Sequence, residues 1–537
     1  MFLLILTLVA QAPAAPMSCA TPLFHRLALD GAPLPARVAA PRPAAAGPAP
    51  GDTVTLWTWN MSVMPPQQYQ ARFVCADRGD WCYVMVHDSC LAAGLVDSAD
   101  AARIVERFER SSPRDSTRGV WQHNTEVLGL PPDEIDGDSA IYLLHYNIGT
   151  FGGSRFDGFW MSFDQYYDTT ALRRWGYHSN EIECVYLDCY PNNPSGDYRV
   201  AIAAHEMGHM IHWNYDPAES LWVQEGCCEL AMWLFGAPDP ISGFPGQPDN
   251  DLTRWTGAWA DYIKTYLFFL YLYEQHGGRV GVDLIHDIIR SPEVSIAGVR
   301  AGLDSAGTGL DFDRVFDDWV LANRINDTAF FDGRYGYYGE TVPRFGNAGV
   351  HYSYPVDRTG GLSRWAGEYV LFAGGTGLEL DFDGADQGDF RVFVVGLDTI
   401  GRRLLLDSIL LDPGQHGTIA VPGFDTAWQH VYLIPANHHR HETMTYRYQA
   451  WVSGIAEGPR ARLPARVQPA IVRGTLALGS QSPVAGSDIA LLDASGRAVF
   501  PLAPGANDIS RLAPGVYFVR STIENQRPTI SKVVIAR

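Results

Sequence analysis

Nine residues near the middle of the chain, Ala203-Ala204-His205-Glu206-Met207-Gly208-His209-Met210-Ile211, constrain its architecture more than any other segment. Their surroundings predict a helix over residues 198–213, and on a helix positions four apart share a face. His205 and His209 can therefore reach one metal ion, while Glu206, one residue along, is directed at the ion's open position. A catalytic zinc needs a third protein ligand. A second helix is predicted over residues 220–235, in which Glu225 and Glu229 are four apart and share a face that can approach the two histidines. His212 follows His209 by three residues and is read as a hydrogen-bonded histidine at the helix end, outside the site.

Composition narrows the function classes. At 537 residues the chain exceeds a single hydrophobic core, since domains run on the order of 100 to 200 residues. A hydrophobic content of 46%, with 15 Trp and 25 Tyr, supplies enough apolar surface to fold and argues against disorder. The formal charge of −20, without a long basic run, repels phosphate backbones, so nucleic acid is not an expected partner. Residues 2–10 are apolar and are followed by Ala10-Gln11-Ala12, a small-x-small pattern that predicts a signal peptide over 1–12 and an exported chain. No Lys or Arg precedes that run. No later segment reaches the ~18 to 20 uninterrupted apolar residues of a membrane helix, so no membrane span is expected. Eight cysteines in an exported chain predict disulfides, and the spacing allows the local pairings Cys75–Cys82 and Cys184–Cys189.

Residues 13–50 are rich in Ala and Pro, the composition of a linker or propeptide. Short strands are predicted at 53–59, 83–87, 140–145 and 182–187, with a helix at 101–110 among them. From 198 to about 324 the pattern is helical, with further helices at 259–275 and 312–323. Beyond about residue 343 the period falls to two, at 368–372, 378–382, 390–395 and 430–434, which predicts a β-sandwich. A polar stretch then leads to a last set of alternating strands. The expected class is α+β, divided into a folded domain over 51–342, a β-sandwich over 343–452, a linker over 453–470 and a small β-domain over 471–537.

The pattern of Gly three and His six residues after the second histidine, which marks metzincins, is absent, since His212 and Tyr215 stand there. The His-Glu-x-x-His helix followed by Glu225-Gly226-Cys227-Cys228-Glu229 resembles instead the gluzincin, or thermolysin-like, metallopeptidases, and specifically the bacterial hyicolysin family. The resemblance spans about residues 51–330 and extends to Ile135-Asp136-Gly137-Asp138, Ser179-Asn180-Glu181-Ile182-Glu183, the 262–271 segment and Trp319-Val320-Leu321-Ala322-Asn323. Cys227-Cys228 and Gln224 depart from its usual residues. It implies a mixed-sheet subdomain and a helical subdomain, with zinc held by His205, His209 and Glu225. It further implies that Glu206 is the general base, that Glu229 orients His205 through its second ring nitrogen, and that Tyr262 is the nearest match to an oxyanion donor. The strand over 181–188 resembles the edge strand that aligns a peptide substrate in such enzymes, and a core strand is the equal alternative. The acidic residues Asp133, Asp136 and Asp138 lack calcium-loop spacing and read as a turn.

Residues 463–537, with Gly515-Val516-Tyr517-Phe518-Val519 and Lys532-Val533-Val534-Ile535, resemble the sorting domains of the bacterial type IX (Por) secretion system, with a generic immunoglobulin-like domain as the other reading. That resemblance implies delivery by secretion machinery to the extracellular space or cell surface. The expected activity is hydrolysis of peptide bonds in a protein or peptide substrate. Two other readings stay open: a surface binding protein on the same scaffold, and a zinc hydrolase of a non-peptide amide or ester. Glu206 argues against the first, because a binder has no use for the base.

Overall fold

In β1 (Thr53–Asn60) and β2 (Gln67–Arg78) buried and exposed positions are mixed, whereas β3 (Cys82–His87), β4 (Ile141–Tyr146) and β6 (Cys184–Asp188) are buried almost throughout. That contrast separates strands covered on one face from strands covered on both. In the computed structural model they form one sheet ordered β1-β2-β3-β4-β6-β5, where β5 is the two-residue strand Gly158–Phe159. The β3–β4 and β4–β6 pairs are parallel, and the other pairs are antiparallel. The structure describes residues 19–28, 47–454 apart from 64, 152, 399–401 and 440–442, and most of 471–535 apart from 473–474, 479–487, 494–495, 504 and 523–528. The expected signal peptide and most of the Ala/Pro-rich segment lie outside the described residues.

The helices that place the site are α1 (Thr21–Ala28), α2 (Ser98–Glu109), α3 (Val120–Val127), α4 (Asp197–Tyr215), α5 (Leu221–Phe235), α6 (Trp259–His276) and α7 (Phe312–Ile325). Helix α2 starts at a reciprocal capping box between Asp97 and Asp100. Arg103 and Arg107 of α2 each lie 3.0 Å from Asp197 in the first turn of α4, where a carboxylate also complements the helix dipole. The fold is mixed α+β, as expected, and the predicted helices at 198–213, 220–235, 259–275 and 312–323 match α4 to α7 within two residues. Among the described residues no helix is long and apolar enough to cross a membrane.

The chain divides into two compact units, residues 1–455 and 456–537. The first unit also holds two sheets beyond α7. One is ordered Val356–Leu362, Met444–Gly454, Thr376–Gly384, His416–Val421, and the other contains Leu404–Ile409, Phe390–Leu397, His430–Asn437, Val370–Phe372 and Gly349–His351. Leu380 and Phe382 from the first and Val392, Val394 and Leu433 from the second share one core. The second unit has a five-stranded sheet, with Leu491, Val519, Val533 and Ile535 in its core.

The disulfides expected from the sequence are not formed: all eight cysteines are buried free thiols. Cys75 faces Met85 rather than Cys82 across β2 and β3. Cys184 and Cys189 are separated by the length of β6, ~17 Å for a strand, against a Cα separation below ~7 Å in a disulfide.

His438 joins the sandwich strands to α7. Its Nε2 lies 2.7 Å from Asp317 Oδ1 and its Nδ1 3.9 Å from Asp313 Oδ2. Burial opposes the imidazolium, but the two carboxylates outweigh it and raise His438 to about 9. A group raised on folding stabilises fully below its unfolded pKa of ~6.5 and loses that contribution as pH climbs through its folded value, here about 9. His438→Gln should therefore cost about 2 kcal/mol at pH 6 and much less at pH 9.5, read from denaturant midpoints. Equal losses at both pH values would show that packing, not charge, is what the histidine contributes.

Candidate metal centre

Every residue of α4 from Arg199 to Trp213 is buried, and a helix covered all round is normally apolar. This one carries His205, Glu206, His209 and His212 into the interior. Helix α5 is buried from Trp222 to Phe235 and adds Glu225 and Glu229. Buried polar groups on that scale persist only when they are hydrogen-bonded, paired or ligating. Two glycines allow the helices to approach. A Cβ at Gly208 would sit 2.9 Å from Cys228 Sγ of α5, and one at Gly226 would run into the Phe269 ring of α6. Gln224, unusual beside a ligand, closes the first turn of α5 by donating from Nε2 to the Glu219 carbonyl at 2.9 Å. From α3, Asn124 Nδ2 donates to the Ala204 carbonyl at 2.7 Å and braces α4 next to His205.

The expected ligands come together. His205 Nε2 and His209 Nε2 are 3.2 Å apart, and Glu225 lies 3.4 Å from the first and 3.5 Å from the second. A fourth donor, absent from the sequence expectation, is Cys19, whose Sγ lies 3.5 Å from His209 Nε2. All four ligand atoms lie within 4.8 Å of one another, and all four residues are buried. Zinc bonds of ~2.0 to 2.1 Å to N or O and ~2.3 Å to S, set at tetrahedral angles, put neighbouring donors ~3.3 to 3.6 Å apart. The short distances in the cluster match those edges. Both carboxylate oxygens of Glu225 are buried without a hydrogen bond of good geometry, which a cation would remedy. The donor set can therefore hold one metal ion.

Around this cluster, Glu229 Oε1 lies 3.3 Å from His205 Nδ1, on the ring nitrogen facing away from the other donors. Burial raises the Glu206 carboxyl to about 7, against the pull of His205 and of hydrogen bonds from Thr21 and Cys19. Burial raises Glu225 too. Burial and then the charges of Glu206 and Glu225 hold the Cys19 thiol well above its usual range; a bound divalent cation would reverse that field. Tyr262 of α6 is buried and donates its hydroxyl to the Cys19 carbonyl at 3.3 Å. The acidic residues near 136 form local turns, with Asp138 N donating to Asp136 Oδ1 at 2.9 Å and Ala140 N to Asp138 Oδ1 at 3.1 Å.

One expectation is corrected. The segment over 181–188 is not the sheet edge, because β6 pairs with β4 on one side and β5 on the other. The edge beside the cluster is β5, and Arg199 of α4 holds the residue before it through an ion pair with Asp157 at 2.5 Å.

No family model matches the chain, and no curated protein matches it. Among solved structures, a family GH115 4-O-methyl-α-glucuronidase with specificity for decorated arabinogalactans aligns at 10% identity over 60% of this chain and 53% of that chain, with a TM-score of 0.13. A Bacillus licheniformis lipase in its propeptide form aligns at 11% identity over 75% of this chain and 93% of that one, with a TM-score of 0.14. Likeness that low carries no argument about fold or function.

Proposed function

We propose that this chain is a zinc-dependent endopeptidase of gluzincin type, exported after loss of residues 1–12, with the second unit an immunoglobulin-like sorting domain that engages secretion machinery. The observation that carries the catalytic reading is the convergence of His205, His209 and Glu225 at zinc-ligand spacing, with Glu206 one residue beyond the first histidine.

Zinc bound by these three residues would lower the pKa of a coordinated water to roughly 7 and polarise a peptide carbonyl. Glu206, one residue from His205, would take a proton from the attacking water and pass it to the leaving amine. The Tyr262 hydroxyl donates to the carbonyl oxygen as it becomes negative. Glu229 fixes the His205 ring from its Nδ1 side. The substrate backbone would pair with β5, the last strand of the sheet, so an extended polypeptide fits better than a compact small molecule.

The test is metal content, which is independent of any assay substrate. Wild-type protein should carry about one zinc per chain, and His205→Ala and Glu225→Ala should each be depleted when measured by elemental analysis. Metal retained in full by both variants would mean that the ligands are wrong.

A further inference from the structure

We propose that Cys19 is a fourth ligand to the metal and that residues 19–24 form an autoinhibitory plug, keeping the enzyme latent until the chain is cut between this segment and β1. The inference rests on the metallopeptidase reading and adds its regulation.

Two residues, Cys19 and Thr21, occupy the groups to which catalysis is assigned. Cys19 Sγ lies 3.5 Å from His209 Nε2 and 3.5 Å from Glu206 Oε2. Thr21 Oγ1 donates to Glu206 Oε2 at 2.8 Å, so the base is engaged. The Tyr262 hydroxyl is spent on the Cys19 carbonyl.

The same segment covers the edge where substrate would pair. Ala20 N donates to the Gly158 carbonyl at 3.0 Å, Cys19 and Gly158 form a parallel bridge, and Trp160 N donates to Thr21 Oγ1 at 2.7 Å. Phe24 anchors the plug, its ring centroid 4.9 Å from those of Trp59 and Phe159. At Thr21 the chain turns into α1, so it leaves the edge after a single bridge and does not continue as an extended peptide would. With the Cys19 thiolate holding the metal beside His205, His209 and Glu225, the position that an attacking water needs would be taken.

Tethering makes such a plug effective without intrinsic tightness. A segment joined to its site by a short linker competes at a millimolar effective concentration, and one cut in the linker removes that advantage. The joining residues, 29–46, are rich in Ala and Pro and carry two arginines, Arg37 and Arg42, and one acidic residue, Asp30, a composition open to processing.

The decisive experiment uses the full chain loaded with Co²⁺ in place of zinc. Wild-type protein should show a thiolate-to-cobalt charge-transfer band, and Cys19→Ala should bind cobalt without it. A second measurement on unmutated zinc protein is alkylation of Cys19, followed by mass spectrometry, which should be slow until a chelator is added. Peptide hydrolysis by the zinc form should rise by about 10² or more after a single cut in 29–46, the scale expected when a tether is lost, and by less in Cys19→Ala, where Thr21 still holds Glu206. Cobalt bound by both proteins with no thiolate band in either would overturn the plug and leave the metal centre standing. Failure of both to bind any metal would overturn the underlying reading. Equal hydrolysis by the intact chain and the chain cut within 29–46 would show that the segment does not inhibit.

Discussion

Glu206→Gln should leave metal content unchanged and lower peptide hydrolysis by ~10² to 10⁴, the usual contribution of a general base. The substitution keeps the size and hydrogen-bonding reach of a side chain that is wholly buried, so the packing of α4 against α5 has no reason to change. It removes only the proton acceptor. Glu206 is not among the four residues whose donor atoms cluster, so His205, His209 and Glu225 remain to hold the ion. Measurement belongs in the chain cut once within 29–46, where the plug no longer holds the base through Thr21. Glu229→Gln should behave differently, with a loss of ~10 to 100-fold in metal affinity or activity, because the group orients a ligand rather than moving a proton. Undiminished cleavage by Glu206→Gln, with contaminating proteases excluded, would remove the proposed base and the mechanism with it.

How far the sequence carries depends on whether a residue's partners are close along the chain. His205, Glu206 and His209 share one helix, and Glu225 and Glu229 another, so helical spacing alone predicts which side chains face together. The long buried helices and the alternating strands at 376–384 and 390–397 were legible for the same reason. Cys19 was not, because its neighbours in space lie 187 and 190 residues away and no periodicity connects them. The sheet edge was missed because β5 is only two residues long, too short for an alternating pattern, while the apolar run at β6 reads equally well as edge or centre. The helix at Gly278–Arg290 escaped notice because Gly278 and Gly281 stand in its first turn, where glycine weakens a helical pattern. Disulfides were inferred from compartment and cysteine count, which carry no information about distance.

Lys264→Met should destabilise the first unit by ~3 to 5 kcal/mol, the cost typical of removing one partner from a buried ion pair. Lys264 is fully buried in α6, and all three of its ammonium donors are used: Asp261 Oδ1 at 2.8 Å, Asn250 Oδ1 at 2.8 Å and the Arg254 carbonyl at 2.6 Å. Burial lowers the Lys264 pKa, against the opposing pull of Asp261. Methionine would fill the space but leave a buried carboxylate unpaired and two oxygens without donors. The lysine also pins the 250–256 segment, whose Trp255 packs edge-on to the Tyr262 ring with centroids 4.7 Å apart. Loss of that pin should therefore reduce turnover more than metal content, because Tyr262 loses its support while the ligands on α4 and α5 do not. Arg279→Met gives the contrast: its pair with Asp283 is 70% exposed on the arginine side, so its removal should be nearly silent. Adding Asp261→Asn to Lys264→Met should recover part of the loss, since the buried charge disappears with its partner. A Lys264→Met chain as stable as the wild type in denaturant titration would show that the pair contributes nothing net, and the anchoring of Tyr262 through this segment would have to be given up.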